Sequence, residues 1–344
     1  MDMDELTRRQ FLQLLAIAGG TAAVTMATGC TRLSPEGAGE DGAVNDMDGS
    51  GDATTPDAAP EPATELLACF MLLSDTHITH DNPVRAERLA AALEQIDAFD
   101  PRPDAVIVNG DITNGSRVVE YDQFFEVANA SAFEYGRDLL TTCGNHDQLA
   151  NNEGSQEEYD YVRGLWMSRM SVPMYYDRMV AGQHLILMGP DGIGGWWDRF
   201  NITSEQVAWV ERLVEADEAA GINSLIFCHE PLPSTVYGTD EGQWGFGASI
   251  ENPEELEAML RRHPQVVFIT GHTHVVPDVR RRSDAEPTFV NEGSCGYSYD
   301  PRGGFRRENP LSNGVEMKIY ADRYEFRFRD FLEKTWGNVI TIKH

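Results

Sequence analysis

Residues 265–274 read Q-V-V-F-I-T-G-H-T-H, an apolar run that ends in a glycine and two histidines. Residues 266–269 are β-branched or aromatic and are followed by a turn signal, which predicts a buried strand. His272 and His274 follow the C-terminal end of that strand, and this is the edge at which α/β sheets bind ligands. Because a histidine pair alone also fits a polar loop, the other strand ends decide between a loop and a metal site.

Four more apolar runs end in residues that can bind metal ions. These runs are residues 66–73, 105–108, 139–143 and 225–228. They are followed by Asp75 and His77, by Asp111, by Asn145, His146 and Asp147, and by His229. Amphipathic helices are predicted for residues 84–99 and for residues 204–219, the second after a capping pattern at Thr203. Alternating strands and helices, with polar residues at successive strand ends, predict α/β layering.

Each of these polar residues, taken singly, also fits an ordinary turn or a hydrogen-bonded loop. Five of the nine histidines, however, follow these runs in order and stand beside aspartate or asparagine, which argues against chance. The other histidines have no such placement and are predicted to be loop or surface residues: His80, His184, His263 and His344. Near the C-terminus, residues 316–329 alternate polar and apolar side chains around residues 321–323, which predicts a hairpin.

The series D-T-H, G-D, G-N-H-D, H and G-H-T-H resembles the calcineurin-like metallophosphoesterases, over roughly residues 66–330. The resemblance implies a four-layer α/β/β/α sandwich, in which helices flank two mixed β-sheets and a dinuclear metal site lies at the strand C-terminal ends. The implied ligands are Asp75, His77, Asp111 and His274 for one ion, and Asp111, Asn145, His229 and His272 for the other. Mixed nitrogen and oxygen ligands favour two divalent transition-metal ions, Mn, Fe or Zn, over Ca.

The implied activity is hydrolysis of a phosphodiester or a phosphomonoester through a hydroxide that bridges the two ions. His146 is then expected over the phosphate, as the acid for the leaving oxygen or as a stabiliser of its charge. Asp147 is expected to orient the ring of His146. The glycines before Asp111, Asn145 and His272 are expected to let the backbone turn sharply at the strand ends.

Several alternatives stay open. Purple acid phosphatases have a tyrosine three residues after the Gly-Asp aspartate, and Asn114 at that position disfavours this redox-active subtype. A catalytically inactive metal-binding surface protein on the same scaffold is the alternative function, which the complete ligand set disfavours. Residues 233–250, Trp196, Trp197 and Tyr297 could form an aromatic wall over the site or could pack on the surface. The choice between monoester and diester, and the oligomeric state, are not determined.

The composition excludes some partners. The formal net charge is −29, of which residues 1–64 contribute −8, so residues 65–344 carry −21. An acidic surface repels polyanions, and no nucleic-acid-binding surface is therefore expected. None of the five cysteines forms a C-x-x-C pair, and no disulfide framework is predicted.

The first 64 residues predict export and a tether. Residues 1–30 carry T-R-R-Q-F-L with Arg8 and Arg9, which resembles a twin-arginine signal peptide, and A-T-G-C ends at Cys30 like a bacterial lipobox. Lipidation of Cys30 would anchor the protein on the outer face of the cytoplasmic membrane, in the cell envelope. The alternative is an uncleaved span, since about 20 uncharged residues can just cross a bilayer. Residues 31–64 predict a disordered acidic linker, and residues 65–344 the metallophosphoesterase domain.

Overall fold

The computed structural model describes residues 65–148, 155–192, 200–241, 243, 250–251, 253–300, 304–305 and 311–343. The predicted signal peptide with Cys30, the predicted linker, Trp196, Trp197 and His344 lie outside the described residues, as do residues 242 and 244–249 of the segment 233–250. No helix within the described ranges is both long enough and apolar enough to cross a membrane.

The chain alternates strands and helices in the first two thirds and ends in strands. The strands are β1 (Leu66–Leu73), β2 (Ala105–Asn109), β3 (Leu139–Thr142), β4 (Tyr176–Val180), β5 (Gln183–Leu187), β6 (Phe200–Asn201), β7 (Ser224–Phe227), β8 (Ile250–Glu251), β9 (Val267–Thr270), β10 (Asp278–Arg280), β11 (Thr288–Asn291), β12 (Tyr299–Asp300), β13 (Gly304–Phe305), β14 (Asn313–Tyr320), β15 (Arg323–Asp330) and β16 (Thr335–Lys343). The helices are α1 (Val84–Asp97), α2 (Val118–Ala130), α3 (Gln156–Met170), α4 (Ser204–Ala220) and α5 (Glu254–Arg262). A 3-10 turn covers His146–Gln148.

Two six-stranded sheets form the centre of the fold. The first has the order β16-β15-β14-β1-β2-β3, with β1, β2 and β3 parallel and β14, β15 and β16 antiparallel to their neighbours. The second has the order β10-β11-β9-β7-β5-β4, with four parallel strands between the antiparallel edge strands β10 and β4. Both sheets are therefore mixed, as the resemblance to the family implies. The predicted hairpin is β14 and β15, which turn at residues 321–322.

The layer order follows from the two-residue repeat of a strand, which points successive side chains to opposite faces. In β5, Leu185 and Leu187 pack in the cluster that contains β1 and β2, whereas Ile186 packs with Val210 and Val214 of α4. The buried residues of α1 and α2 belong to the first cluster, and those of α5 belong to the second. Helices therefore flank the two packed sheets, which confirms the predicted α/β/β/α sandwich.

Helix α4 begins and ends at the residues that local chemistry favours. The Thr203 hydroxyl accepts a hydrogen bond from the backbone N–H of Gln206 at 3.3 Å, as the capping pattern predicts. Gly221 ends the helix in the left-handed conformation, with φ 69°. Because a residue with a Cβ is disfavoured there, glycine is the usual residue at this position.

The prediction of a loop or surface position was wrong for His184, whereas His263 stands in a loop, as predicted, but is buried. His184 is buried in β5, and its Nδ1 lies 2.8 Å from Asp217 Oδ1. His263 is buried directly after α5, and its Nδ1 lies 3.0 Å from Glu218 Oε1. Both partners lie on α4, and an imidazole with an acidic partner can be buried at much lower cost than an unpaired one. His80 is exposed, as predicted, with 38% of its side chain accessible.

Candidate metal centre

Strands from both sheets end at one place. β1, β2 and β3 of the first sheet and β7 and β9 of the second each carry a predicted ligand just past their last residue. Two groups of these side chains have ligand atoms that all lie within 4.8 Å of one another. The groups are Asp75, His77, Asp111 and His274, and Asp111, His229 and His272. These are the two ligand sets implied by the sequence, with Asp111 common to both.

The position of Asp111 Oδ2 connects the two groups. It lies 3.3 Å from His77 Nε2, which belongs to the first group, and 3.3 Å from His229 Nε2, which belongs to the second. In the first group, His274 Nε2 lies 2.9 Å from Asp75 Oδ1 and 2.8 Å from His77 Nε2. One carboxylate oxygen between two ligand groups is the arrangement that a bridging ligand requires.

Asn145, the remaining predicted ligand, lies beside the second group. Its Oδ1 is 3.1 Å from His272 Nδ1, so a single ion can contact both atoms. Asn145 is buried, with 2% of its surface exposed. The structure therefore brings all seven predicted ligands to one site.

The buried atoms of the site fit divalent cations. Asp75 Oδ1, Asp111 Oδ2 and His229 Nε2 are buried and have no hydrogen-bond partner among the described residues. Burial of unpaired charged oxygens is costly unless they contact a cation. Since the converging donors are carboxylate, amide and imidazole groups, Mn, Fe or Zn matches the set better than Ca does.

Five of the ligands have a left-handed backbone conformation. The φ angles are 54° at Asp75, 44° at His77, 49° at Asp111, 65° at His272 and 52° at His274. This conformation costs about 1–2 kcal/mol for each residue that carries a Cβ. Such strain persists only where the surrounding structure enforces it, and it is concentrated at functional sites.

The glycines that precede three of the ligands have two different roles. Gly110 has φ 79°, so it provides the sharp turn that the sequence predicts. Gly144 and Gly271 have no such φ. A Cβ on Gly144 would overlap the carboxylate and the backbone nitrogen of Asp111, and a Cβ on Gly271 would overlap Ser74 Oγ. At these two positions the predicted reason was wrong, because glycine provides space between neighbouring strand ends.

Backbone carbonyls fix the orientation of two ligand rings. His229 Nδ1 lies 2.7 Å from the carbonyl of Asn109, and His274 Nδ1 lies 3.1 Å from the carbonyl of Tyr297. A carbonyl only accepts, so each Nδ1 must carry the proton and each Nε2 faces the site. The sequence analysis missed Asn109, although it stands in the N-G-D segment next to Asp111.

Asn109 also connects strands of both sheets beneath the site. Its amide donates to the carbonyl of Ile269 at 3.2 Å, and its Oδ1 accepts from the hydroxyl of Thr142 at 2.7 Å. Ile269 belongs to β9 in the second sheet, and Thr142 belongs to β3 in the first. This one side chain therefore sets the spacing of strand ends that the ligands occupy.

The charges in the site depend strongly on one another. Burial raises the pKa of the Asp75 carboxyl, but His274 and His229 outweigh it and hold that pKa well below its ordinary value. Burial lowers the pKa of His229, but Asp111 and Asp75 outweigh it and raise that pKa to about 10. Burial and His229 lower the pKa of His272 to about 3. A cation bound at His229 Nε2 competes with a proton there, because only neutral imidazole binds metal.

His146 and Asp147 lie at the edge of this cluster, after β3. His146 Nδ1 lies 2.9 Å from the carbonyl of Asn114, and the His146 ring centroid lies 4.4 Å from that of His77. The carboxylate of Asp147 accepts hydrogen bonds from the backbone N–H of Ile112 at 3.1 Å, of Thr113 at 2.9 Å and of Gly144 at 3.0 Å.

These contacts give the Asp147 carboxylate a supporting role in the loops that carry the ligands. His146 Nδ1 donates to the carbonyl of Asn114, and Asp147 holds the backbone directly after Asp111 and directly before Asn145. Burial, together with the charge of Asp111, raises the pKa of Asp147 to about 7. Asp147 therefore supports the ligand loops, and its orientation of the His146 ring stays a prediction.

Among the aromatic candidates that lie in the described part of the chain, Tyr297 packs against the ligands. Its ring centroid lies 4.4 Å from that of His274 and 5.1 Å from that of His77. Tyr297 is therefore part of the wall of the site.

Two packed mixed sheets with helices outside, and two ligand groups joined by one aspartate, define a dinuclear metallohydrolase. The chain belongs to the calcineurin-like phosphoesterase family, whose sequence profile matches residues 70–276. Enzymes of this family use two divalent metal ions, and the Asp and His groups of this chain fit that requirement. The protein is accordingly a hydrolase of phosphoesters.

Relatives and solved structures agree with this assignment. The chain is 30% identical over 216 residues to the glycerophosphodiester phosphodiesterase GpdQ of Enterobacter lignolyticus. The aligned region covers 59% of this chain and 69% of that protein. It is 24% identical over 229 residues to the 3′,5′-cyclic adenosine monophosphate phosphodiesterase CpdA of Pseudomonas aeruginosa. Here the aligned region covers 64% of this chain and 74% of that protein. A dimetal phosphatase from Danio rerio shares the fold, with a TM-score of 0.57 and 15% identity over 81% of this chain and 99% of that chain.

Proposed function

We propose that this protein hydrolyses phosphodiesters in preference to phosphomonoesters. The observation that supports metal-dependent hydrolysis is the position of Asp111 Oδ2, which lies 3.3 Å from the Nε2 atoms of both His77 and His229. The preference for diesters is supported by the names of the two phosphodiesterase relatives. It is also supported by charge, because residues 65–344 carry −21 of the net −29 and repel a monoester dianion more than a diester monoanion.

The site residues have two roles in the proposed reaction, metal binding and protonation of the leaving group. Asp75, His77, Asp111 and His274 would hold one divalent ion, and Asp111, Asn145, His229 and His272 the other. Bound together, the ions supply Lewis-acid activation of the attacking water and of the phosphoryl oxygen. His146 acts on the leaving group. Because its Nδ1–H donates to the carbonyl of Asn114, the imidazolium form of the ring carries its second proton on Nε2. That proton passes to the leaving oxygen as the P–O bond breaks, and the ring is left neutral with its hydrogen on Nδ1.

The test compares a bis-nitrophenyl phosphodiester with a nitrophenyl monoester, using protein loaded with Mn²⁺. We expect a higher kcat/KM on the diester and loss of turnover in Asp111→Asn. Asp122→Asn is a matched control, since Asp122 has 56% of its side chain exposed and pairs with Arg169 on the surface. No turnover with Mn, Fe or Zn would favour the alternative, a catalytically inactive metal-binding surface protein. Faster turnover of the monoester would reverse the proposed substrate class.

We further propose that the enzyme is exported and lipid-anchored through Cys30 on the outer face of the cytoplasmic membrane. The support is T-R-R-Q-F-L with Arg8 and Arg9, followed by A-T-G-C at residues 27–30. Two acyl chains give stable anchoring where one gives only marginal binding. Cys30→Ser should release the protein from membranes, and lysine at both arginines should block export. Membrane retention of Cys30→Ser with an intact N-terminus would support the uncleaved span instead.

A further inference from the structure

Arg85 contacts three loops of the candidate site with one guanidinium group. Its Nη1 donates to the carbonyl of His77 at 2.9 Å and to Asn114 Oδ1 at 2.6 Å. Its Cζ lies 4.6 Å from the ring centroid of Tyr297, in the geometry of a cation–π contact. These partners follow β1, β2 and β11, so a single cation connects loops that come from both sheets.

Two of the residues that Arg85 contacts, Asn114 and Tyr297, bind histidine rings of the site through their backbone carbonyls. The carbonyl of Asn114 accepts from His146 Nδ1 at 2.9 Å. The carbonyl of Tyr297 accepts from His274 Nδ1 at 3.1 Å. Arg85 is therefore linked to the ring of His146 through Asn114 and to the ring of His274 through Tyr297.

Arg85 is an unfavourable residue for its place in the helix. It is the second residue of α1, which begins at Val84 after Pro83 and has no side-chain cap. A cation in the first turn opposes the helix dipole, whose positive end lies there. Ordering a long side chain also costs entropy. The hydrogen bonds to His77 and Asn114 and the contact with Tyr297 offset these costs, and all three lie on the side of the metal centre.

We propose that Arg85 is a positioning residue that fixes the ring of His146 through Asn114. This inference rests on the proposed function, because it concerns the proton that His146 gives to the leaving oxygen. Arg85 holds the Asn114 side chain, the Asn114 carbonyl then holds His146 Nδ1, and Nε2 stays aimed at the leaving group. Loss of the guanidinium frees the Asn114 side chain and lets the ring turn away. The ligand rings are affected less, because Arg85 contacts the backbone carbonyl of His77 and not its ring, and His274 keeps its hydrogen bond to the carbonyl of Tyr297.

The test replaces Arg85 by Met and compares an alkyl phosphodiester with a nitrophenyl phosphodiester. A stabilised nitrophenolate leaves without a proton, whereas an alkoxide needs one. We expect kcat on the alkyl ester to fall about 10- to 100-fold, as is typical when a supporting hydrogen bond is lost. The fall on the nitrophenyl ester should be much smaller, with two metal ions retained by elemental analysis. Arg85→Lys should recover only part of the alkyl-ester rate, because an ammonium lacks the planar fork of a guanidinium.

Arg102 provides a matched control. Its side chain makes the same three kinds of contact away from the site: with Asp97 Oδ1 at 2.7 Å, with the carbonyl of Ala132 at 3.1 Å, and with the ring of Phe133, whose centroid lies 4.1 Å from Cζ. Arg102→Met should leave the ratio of the two ester rates at the wild-type value.

A second variant separates positioning from folding. Asn114→Ala removes the acceptor of Arg85 and keeps the backbone carbonyl that holds His146. It should show the same loss on the alkyl ester, and the double variant with Arg85→Met should lose little more than either alone. Equal losses on both esters, loss of a metal ion, or additive losses in the double variant would overturn the role of Arg85. If the wild-type enzyme hydrolyses neither ester, the proposed function fails, and this role of Arg85 fails with it.

Discussion

His146 is held by a hydrogen bond that determines which of its nitrogens can move a proton. The carbonyl of Asn114 can only accept, so the Nδ1 that lies 2.9 Å from it carries a hydrogen. The ring also stands edge-on to His77, with centroids 4.4 Å apart. At the scale of single residues, the site therefore brings together the seven predicted ligands and His146, whose role as the acid stays a prediction.

Replacement of His146 by asparagine tests this assignment. An acid matters most for a poor leaving group, so we expect a rate loss on the order of 10² to 10⁴ on an alkyl ester and a much smaller loss on a nitrophenyl ester. Both metal ions should remain, as measured by elemental analysis of the loaded protein. Equal losses on the two esters would mean that His146 stabilises phosphoryl charge. A lost ion would mean that His146 is a ligand.

Asp147→Asn tests the supporting role of the Asp147 carboxylate. The substitution replaces one carboxylate oxygen by an NH2 group, which then faces either the backbone N–H of Thr113 or those of Ile112 and Gly144, all donors from which the carboxylate now accepts. A buried donor left without a partner costs about 1–3 kcal/mol, and the free energy of unfolding should fall by that amount in a denaturant titration. The ratio of alkyl-ester to nitrophenyl-ester rates should not change. A changed ratio with unchanged stability would instead support the prediction that Asp147 orients the ring.

At the scale of elements, the site is made where parallel strands end close together. After each strand the backbone must turn sharply, and it must also lie close to the ends of neighbouring strands. Gly110 meets the first requirement through its φ of 79°, and Gly144 and Gly271 meet the second because any Cβ there would overlap Asp111 or Ser74. Five ligands then adopt left-handed φ angles themselves. The strand ends therefore store strain that the packed sheets enforce.

A pair of glycine substitutions measures how tightly the strand ends approach. Gly271→Ala should weaken metal binding and destabilise the fold, because the new methyl group would overlap Ser74 Oγ. Gly164→Ala is the control. Gly164 lies inside α3, and a Cβ there would meet nothing within 4 Å, so the free energy of unfolding should rise by about 0.5–1 kcal/mol. Wild-type metal affinity in Gly271→Ala would contradict the close approach of β9 to the loop after β1.

For the molecule as a whole, the metal centre joins the two sheets. Asp75, His77, Asp111 and Asn145 follow strands of the first sheet, whereas His229, His272 and His274 follow strands of the second. The shared carboxylate of Asp111 contacts histidines from both sides. Metal ions bound there connect the halves of the sandwich, and they also neutralise buried carboxylates whose burial is otherwise costly.

Metal binding should therefore stabilise the whole domain. At a free Mn²⁺ concentration 100 times the dissociation constant, one bound ion adds about 2.7 kcal/mol to the free energy of unfolding. The thermal midpoint of chelated protein should rise steadily with added Mn²⁺, and Ca²⁺ should have much less effect. Asp111→Asn should reduce the shift strongly, because it weakens both sites. A midpoint independent of Mn²⁺ in the wild-type protein would contradict a centre that spans the sheets.

The sequence by itself determined strands β1, β2, β3, β7 and β9, the β14–β15 hairpin, the positions of the predicted ligands and α/β layering, and the four-layer order came from the resemblance to the family. Residues 265–274 contain a strand pattern, its end and two ligands within ten positions, and such patterns depend on neighbours in the chain. The same holds for Asp75, Asp111 and His229, which stand two, three and one positions after the last residue of an apolar run. Local periodicity and turn chemistry need no knowledge of the rest of the fold, so these features could be read from the printed chain.

Only the tertiary structure decided how the side chains around the ligands are supported. The hydrogen bond between His146 and Asn114 joins residues 32 positions apart, and that between Arg85 and Asn114 joins residues 29 positions apart. The burial of His184 and His263 likewise depends on acids of α4 that stand 33 and 45 positions away. Such contacts arise when sheets and helices pack, because packing sets which distant polar groups can satisfy one another. Sequence periodicity carries no record of those pairings.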